Sequence, residues 1–293
     1  IRLLIGFSPG GGTDIVARAL ASKMAEVLGQ QIVLENKPGA SGTIAADLVA
    51  KSAPDGYTLL MGHSNSNAVA PFVIKVPYQA ANDFTPITYI GYVPNVLVVH
   101  PSVQAHSVTA LIKLIKSKPG EMTYASSGIG SSQHLAGALF SRIAGLQMNH
   151  VPYKGSGQAI VDLLAGQVHM NFDTMPPVLE HIRSKKIRAL AISTPKRISQ
   201  LAEVPTFEEV GITGFDVTNW YSVMGPKGMP AEMVAKLDRA VKTAMNDPKI
   251  RATLDAQGLQ SGGAASPEEF KQFLSAELEK YARIVKDLNI KSD

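Results

Sequence analysis

The sequence contains no cysteine in 293 residues. That removes disulfides, thiolate nucleophiles, cysteine-ligated zinc and iron–sulfur clusters at once. It leaves the compartment open, because a cysteine-free chain tolerates oxidising and reducing surroundings alike. The seven histidines (63, 100, 106, 134, 150, 169 and 181) show no His-Glu-x-x-His or other close ligand spacing, so no metal centre is expected. Long apolar runs are missing too: the uncharged stretch 61–74 is broken by Asn, Ser, His and Pro, well short of the ~18–20 residues that span a bilayer. Charge is sparse, at 18% against the ~25% typical of soluble proteins, while 45% of residues are hydrophobic. A disordered or fibrous chain is excluded, and the length suits about two domains of ~100–200 residues.

Lys and Arg number 28 against 24 Asp and Glu, an excess of 4. The densest basic cluster, Arg183, Lys185, Lys186 and Arg188, has no aromatic residue within it, so no nucleic-acid partner is expected. The C-terminal segment mixes signs (Glu277, Glu279, Lys280, Arg283), as a solvated helix face does. A mildly positive field suits a small anionic ligand.

What is present is one pattern written twice. Residues 1–7 form an apolar run with a single Arg, the signature of a strand covered on both faces. Ser8-Pro9-Gly10-Gly11-Gly12-Thr13-Asp14 turns into a helix with Thr13 as the expected N-cap, and Gly29 ends it. A strand at 31–35, a helix at 43–51 and a strand at 57–62 follow. From Thr123 the order recurs: a short strand, Ser126-Ser127-Gly128-Ile129-Gly130-Ser131-Ser132, a helix to Gly145, a strand at 148–153, a helix at 159–165 and a strand at 168–172. Gly11 and Gly128, Gln30 and Gln147, and Lys37 and Lys154 are each 117 apart. Alternating strands and helices, duplicated, predict two α/β lobes, each a mostly parallel sheet flanked by helices. A further strand is read at 187–192 and an extended one at 215–224; Trp220 is placed in the core and His100-Pro101-Ser102 at a crossing point. Ser266-Pro267-Glu268-Glu269 marks a helix start.

Both glycine-rich loops follow a strand and precede a helix, where free N–H groups and the positive helix end receive an anion. The candidates in the first loop are Phe7, Ser8, Gly10, Gly11, Gly12, Thr13 and Asp14; those in the second are Ser126, Ser127, Gly128, Ile129, Gly130 and Ser131. Asp14 would repel an anion if it faced the site, so it is expected to turn outward and favour the helix dipole. The polar loop 63–67, with His63, Ser64 and Asn65, is expected to supply hydrogen bonds, and Tyr153, Asp173 and Thr174 end strands on the same side. Phe7 can stack on an aromatic acid or serve the core. Three enzyme motifs nearly fit. Gly10 and Gly12 match the dinucleotide fingerprint until Ile15, Gly11 is followed by Gly12 where a phosphate loop needs Lys, and Gly62-His63-Ser64-Asn65-Ser66 ends in Ser where a nucleophile elbow needs Gly. A nicotinamide-dependent oxidoreductase or a serine hydrolase therefore remains the alternative, and a regulator's effector domain shares the two-lobed build.

Taken in order, Phe7-Ser8-Pro9-Gly10-Gly11-Gly12-Thr13-Asp14, Val33-Leu34-Glu35-Asn36-Lys37-Pro38-Gly39, Pro54-Asp55-Gly56-Tyr57-Thr58-Leu59-Leu60, Tyr124-Ala125-Ser126-Ser127-Gly128, His150-Val151-Pro152-Tyr153-Lys154-Gly155 and Val204-Pro205-Thr206 resemble the Bug (TctC-like) family, the solute receptors of tripartite tricarboxylate transporters. The resemblance implies a periplasmic-binding-protein fold, the type II-like Venus flytrap, with lobe I at 1–99 plus 223–293 and lobe II at 100–222. It also implies a small carboxylate held in the cleft by positions 7–14 and 126–132, partly through water. Citrate, dicarboxylates, acidic amino acids and aromatic carboxylates are the family's ligands; two matched loops favour a dicarboxylate. The expectations that follow are a non-catalytic, cofactor-free monomer in the periplasm, with the signal peptide outside this chain and the transporter's membrane subunits as partners. Lys37, where Arg is commoner, and Trp220-Tyr221-Ser222, in place of Trp-x-Gly, depart from the family pattern.

Overall fold

The computed structural model describes residues 1–260 and 263–290; positions 261–262 and 291–293 of the 223–293 stretch lie outside the described residues. Its strands are β1 (Arg2–Ile5), β2 (Val33–Asn36), β3 (Thr58–His63), β4 (Phe84–Val99), β5 (Thr123–Ser126), β6 (Asn149–Pro152), β7 (Met170–Thr174), β8 (Arg188–Ile192) and β9 (Thr218–Pro226). The helices are α1 (Gly12–Leu28), α2 (Thr43–Ala50), α3 (Ala70–Val73), α4 (Val108–Ser117), α5 (Ser132–Ala144), α6 (Ser156–Leu164), α7 (Met175–Arg183), α8 (Ala231–Asn246), α9 (Pro248–Ala256) and α10 (Pro267–Leu288). None is long and apolar enough to cross a membrane among the described residues.

Strand order is β2-β1-β3-β9-β4-β7-β5-β6, with β8 also on β4. The duplicated units pair alike: β1 lies parallel between β2 and β3, and β5 parallel between β6 and β7. The four remaining pairings, β3–β9, β4–β9, β4–β7 and β4–β8, are antiparallel, so the sheet is mixed rather than mostly parallel. The two long antiparallel strands do the joining. β4 pairs with β9 through Pro94 and with β7 from Asn95 onward. Register between the copies drifts along the chain: Arg2 to Thr123, Val33 to Asn149 and Thr58 to Met170 are separations of 121, 116 and 112, so the 117-residue spacing is local.

Period-two alternation divides the core between the two faces of each half. Leu3, Ile5, Leu59 and Met61 pack under α1, α8 and α9, while Leu4 and Leu60 face α2, α3 and α10. In the other half Tyr124, Met170 and Phe172 face α4 and α5, and Ala125, Val96 and Val98 face α6 and α7. Trp220 is in the core, as read, its Nε1–H donating to Glu277 at 2.9 Å. Ser266 caps α10 through the Glu269 N–H, and Glu269 returns a bond to the Ala265 N–H, as the sequence predicts. Thr13 does not cap α1: Gly11 is the N-cap, and no side chain bonds the first turn.

Phe172 is fully buried among Tyr124, Phe140, Phe207 and Phe215, with ring centroids 5.5–6.4 Å away. Phe172→Ala should cost about 3–5 kcal/mol in urea unfolding, whereas Val161→Ala, 63% exposed, should stay within about 0.5 kcal/mol. Equal losses would overturn this placement of the core.

Candidate functional site

The carboxyl ends of β1, β3, β5 and β7 and the middle of β9 converge on one cleft. It is lined by Phe7, Gly11, Gly12, Thr13, His63, Asn65, Ser127, Gln133, Ser156, Thr174 and Tyr221. The cleft is nearly shut, with a cavity of about 20 Å³, room for about one water. Bonds between its walls hold it so. Asn65 Nδ2 donates to Ser127 Oγ at 3.2 Å, Ser132 N–H donates to Asn65 Oδ1 at 2.8 Å, and Ser41 Oγ donates to the Ile129 carbonyl at 2.6 Å.

On the first wall, α1 begins at Gly12 with no side-chain cap, so the Gly12 and Thr13 N–H groups have no intrahelical acceptor and face the cleft side. A Cβ on Gly12 would strike Tyr221 Oη and Thr174 Oγ1, which is why the chain can approach this closely only as glycine. Gly10 contributes differently: its N–H donates to Asp14 Oδ2 at 3.0 Å. Asp14 does turn from the cleft, though it remains buried, accepting also from Arg18 Nε at 2.8 Å and Asn36 Nδ2 at 3.0 Å. Burial opposes its charge, but these donors outweigh burial and hold its carboxyl below the usual range.

β3 delivers His63, 3% exposed, its ring 5.0 Å from Phe7 and 5.2 Å from Tyr221. Nδ1 accepts the Asn65 N–H at 3.0 Å, which fixes the proton of the neutral ring on Nε2. Burial pushes its pKa down to about 3. Residues 65–69, read as a loop, form a helical turn that leads into α3. Ser64 is fully buried, and its Oγ donates to Asn219 Oδ1 at 3.3 Å.

The second loop is occupied with itself. Ser127 N–H donates to Gln133 Oε1 at 2.7 Å, Gly128 N–H to Ser126 Oγ at 3.1 Å, and Gly130 N–H to His134 Nδ1 at 3.3 Å. Ser131 caps α5 and its N–H reaches the Gly128 carbonyl. Ser126 Oγ lies 2.6 Å from His150 Nε2, and His134 and His150 stack 4.1 Å apart behind the loop. Burial lowers His134 to about 4 and His150, which also feels His134, to about 3. Of the second-loop candidates only Ser127 lines the cleft; Ile129 stands at the rim, 42% exposed. Tyr153 points the other way, donating to Asp162 at 2.6 Å. Thr174 lines the cleft, while Asp173 lies beneath it. Ser8 is buried against Gly155 with its Oγ unpartnered.

Three lining residues escaped the sequence reading. Gln133 and Ser156 stand in the first turns of α5 and α6, and Tyr221 sits at the inward parity of β9. Asn219 and Tyr221 share a parity in β9, but Thr218 and Ser222 are polar on the other, so the strand's own pattern did not single out Tyr221. Its hydroxyl is buried beside Thr174 Oγ1 but makes no hydrogen bond of good geometry. Among the described residues no cluster of His, Asp or Glu could hold a metal.

Residues 16–290 match the family model of the tripartite tricarboxylate transporter family receptor, TctC. The chain is 39% identical over 293 residues to Protein BugT of Bordetella pertussis, covering 99% of this chain and 90% of that one. An R. palustris protein solved with adipate superposes with a TM-score of 0.95 at 35% identity, covering 100% of this chain and 98% of that one. MatC from Rhodopseudomonas palustris, solved with bound malate, gives 0.93 at 31% identity over 97% and 98%.

The buried imidazoles set an acid limit. Each is neutral in the fold and protonates in the unfolded chain below about pH 6.5, so their stabilisation is complete above that value and lost as pH falls toward their folded values. For His63 alone the loss is about 3 kcal/mol by pH 4. Asp173, raised by burial to about 6, acts oppositely over pH 6 to 4, one group against three. The urea midpoint should therefore fall between pH 6.5 and 4; a level or rising midpoint would show that these rings are not held neutral.

Proposed function

The chain belongs to the tripartite tricarboxylate transporter receptor family, the TctC or Bug receptors, and from that premise we propose that it captures a small carboxylate in this cleft and delivers it to the membrane subunits of a transporter of that type. One observation carries the reading: the lining is a set of hydrogen-bond donors without a cation. The uncapped start of α1, the unpartnered Tyr221 hydroxyl, the Nε2–H of His63 and the hydroxyls of Thr13, Ser127, Ser156 and Thr174 surround the space, and no Lys or Arg among the described residues lines it. An anion is served by the helix dipole and by neutral donors in a low-dielectric site.

Dicarboxylates are the favoured class, supported by the adipate and malate held in two relatives. One carboxylate would sit at the start of α1. The other would meet side chains of the opposite wall, since the N–H groups of Ser127, Gly128 and Gly130 are already bonded. An aromatic acid is the other candidate, with Phe7 beside the site. Because the closed cleft holds about one water, entry requires the walls to part. The proposed lobes are 1–99 plus 223–293 and 100–222, and the change of β4 from β9 to β7 at Asn95 supports a hinge in that region. We take the working form to be a periplasmic monomer without a cofactor.

The enzyme alternatives gain nothing from the geometry. Ser64 Oγ donates to an amide, His63 Nδ1 already accepts an N–H, and the Gly10 N–H is taken by Asp14.

A thermal-melt screen against citrate, malate, succinate, aspartate, adipate, nicotinate, benzoate and terephthalate, with nicotinamide cofactors alongside, tests the reading. Ligand at ~100 times its dissociation constant adds about 2.7 kcal/mol, a shift of several degrees. One or two carboxylates should give it, and Gly12→Ala, whose methyl pushes the tips of Tyr221 and Thr174 into the cleft, should abolish it while the ligand-free protein keeps its circular dichroism. A shift with the cofactors alone would replace the receptor with an oxidoreductase.

A further inference from the structure

Beneath the cleft lies a carboxylate with no counter-ion. Asp173, next to the end of β7, is completely buried. Its Oδ1 accepts from Ser156 Oγ, from Gln133 Nε2 at 2.7 Å and from Thr174 N–H at 2.7 Å. Among the described residues no Lys, Arg or His bonds to it. Oδ2 meets one group, the Asn171 Nδ2 at 2.8 Å, and the far end of that amide, Asn171 Oδ1, is buried without a partner.

That pairing is indifferent to a proton. With its nitrogen toward Oδ2 the amide donates to a carboxylate; turned by half a rotation it presents an oxygen that accepts from a carboxylic O–H. No other bond holds the amide in either orientation, because its oxygen is unpartnered. The Oδ1 side of Asp173 is thus built for an acceptor, and the Oδ2 side accommodates either state.

Asp173 also commits three side chains of the cleft lining, Ser156, Gln133 and, at 3.4 Å, the Thr174 hydroxyl. An incoming carboxylate meets donors pointing away from it, with a like charge behind them. A proton on Asp173 removes the charge and weakens its hold on all three donors.

We propose that the cleft takes up one proton with its carboxylate ligand, and that Asp173 holds that proton. The inference rests on the receptor reading. Burial has already raised Asp173 to about 6, against the hydrogen bonds that lower it, and a second anion nearby raises it further. The other titratable groups around the cleft do not compete for the proton near neutral pH. His63 on β3 has Nδ1 occupied by the Asn65 N–H, and Tyr221 on β9 is raised by burial and keeps its own proton. Asp14 on α1 is lowered beside Arg18, and His134 on α5 and His150 on β6 are lowered to about 4 and 3. From β4, α6 and α7 no charged side chain bonds to Asp173; Ser156 is α6's contribution.

Titration calorimetry with adipate and malate at pH 7, in buffers of different ionisation enthalpy, counts the proton directly. Uptake approaching one proton is expected, with affinity falling about tenfold per pH unit from pH 6.5 to 8. In Asp173→Asn both the uptake and the pH slope should vanish, whatever its affinity. Should that variant not fold, the 13C carboxyl shift of Asp173 in the unaltered protein should move to its protonated value on adding adipate. Binding without proton uptake, uptake that persists in Asp173→Asn, or an unmoved carboxyl shift overturns the inference and leaves the receptor standing. If no carboxylate binds at any pH, the receptor reading itself falls.

Discussion

Two asparagines at the crossing strands hold the position on which the cleft depends. Asn95 and Asn219 are both fully buried, and Asn219 Nδ2 donates to Asn95 Oδ1 at 2.5 Å. Asn219 Oδ1 accepts from Ser64, just beyond β3, and from Ser132, at the start of α5. Asn95 Nδ2 reaches the Val217 carbonyl at 3.2 Å, and its N–H reaches Ser193 Oγ at 2.9 Å. One side-chain oxygen therefore ties the inner end of each cleft wall to the strands that join them. In a low-dielectric interior each unmade bond would cost about 1–3 kcal/mol, so these walls have few alternative positions at their root, and the proposed opening belongs to their rim.

That no Lys or Arg among the described residues lines the cleft suits the proposed reversible capture. Hydrogen bonds from charged groups are roughly twice as strong as neutral ones, and an Arg facing the site would hold an anion whether the walls were closed or open. Backbone N–H groups and hydroxyls from opposite walls add up only when the walls meet. Asp14 shows how carefully the negative potential is managed. It stands in the first turn of α1, the proposed anion site, yet Gly10, Arg18 and Asn36 take up its oxygens on the side away from the cleft.

Much of this was legible from residue order. The strand–loop–helix units, the terminating glycines, the start of α10 and the glycine-rich turn before α1 all follow from local chemistry that tertiary packing did not override. β4 was not legible: Pro86, Gly91 and Pro94 punctuate it, and two register irregularities against β9 accommodate them, so a 16-residue strand reads as several fragments. Thr13 was read as a cap because a hydroxyl at a helix start ordinarily is one, whereas Gly11 takes that place and leaves the N–H groups open. Tyr153 and Tyr221 were exchanged in importance for a reason of parity. The end of β6 turns Tyr153 toward α6, and β9 runs through the cleft with Tyr221 inward, a consequence of strand order that no local pattern encodes.

The duplicated loops, alike in sequence, do different physical work. In the first copy the helix start is uncapped and its backbone dipole faces the cleft at fixed geometry. In the second, Ser131 caps the helix, Asn65 takes the Ser132 N–H, and the N–H groups of Ser127, Gly128, Gly130 and Ser131 bond within their own half. What the second copy offers is side chains that can rotate: Ser127, Gln133, Ser156 and Thr174, three of them tethered to Asp173. A fixed dipole recognises any carboxylate, because every carboxylate presents the same two oxygens. Rotatable donors that share a buried acid can respond to what lies beyond that first group, so under the proposed function discrimination among ligands belongs to the second copy.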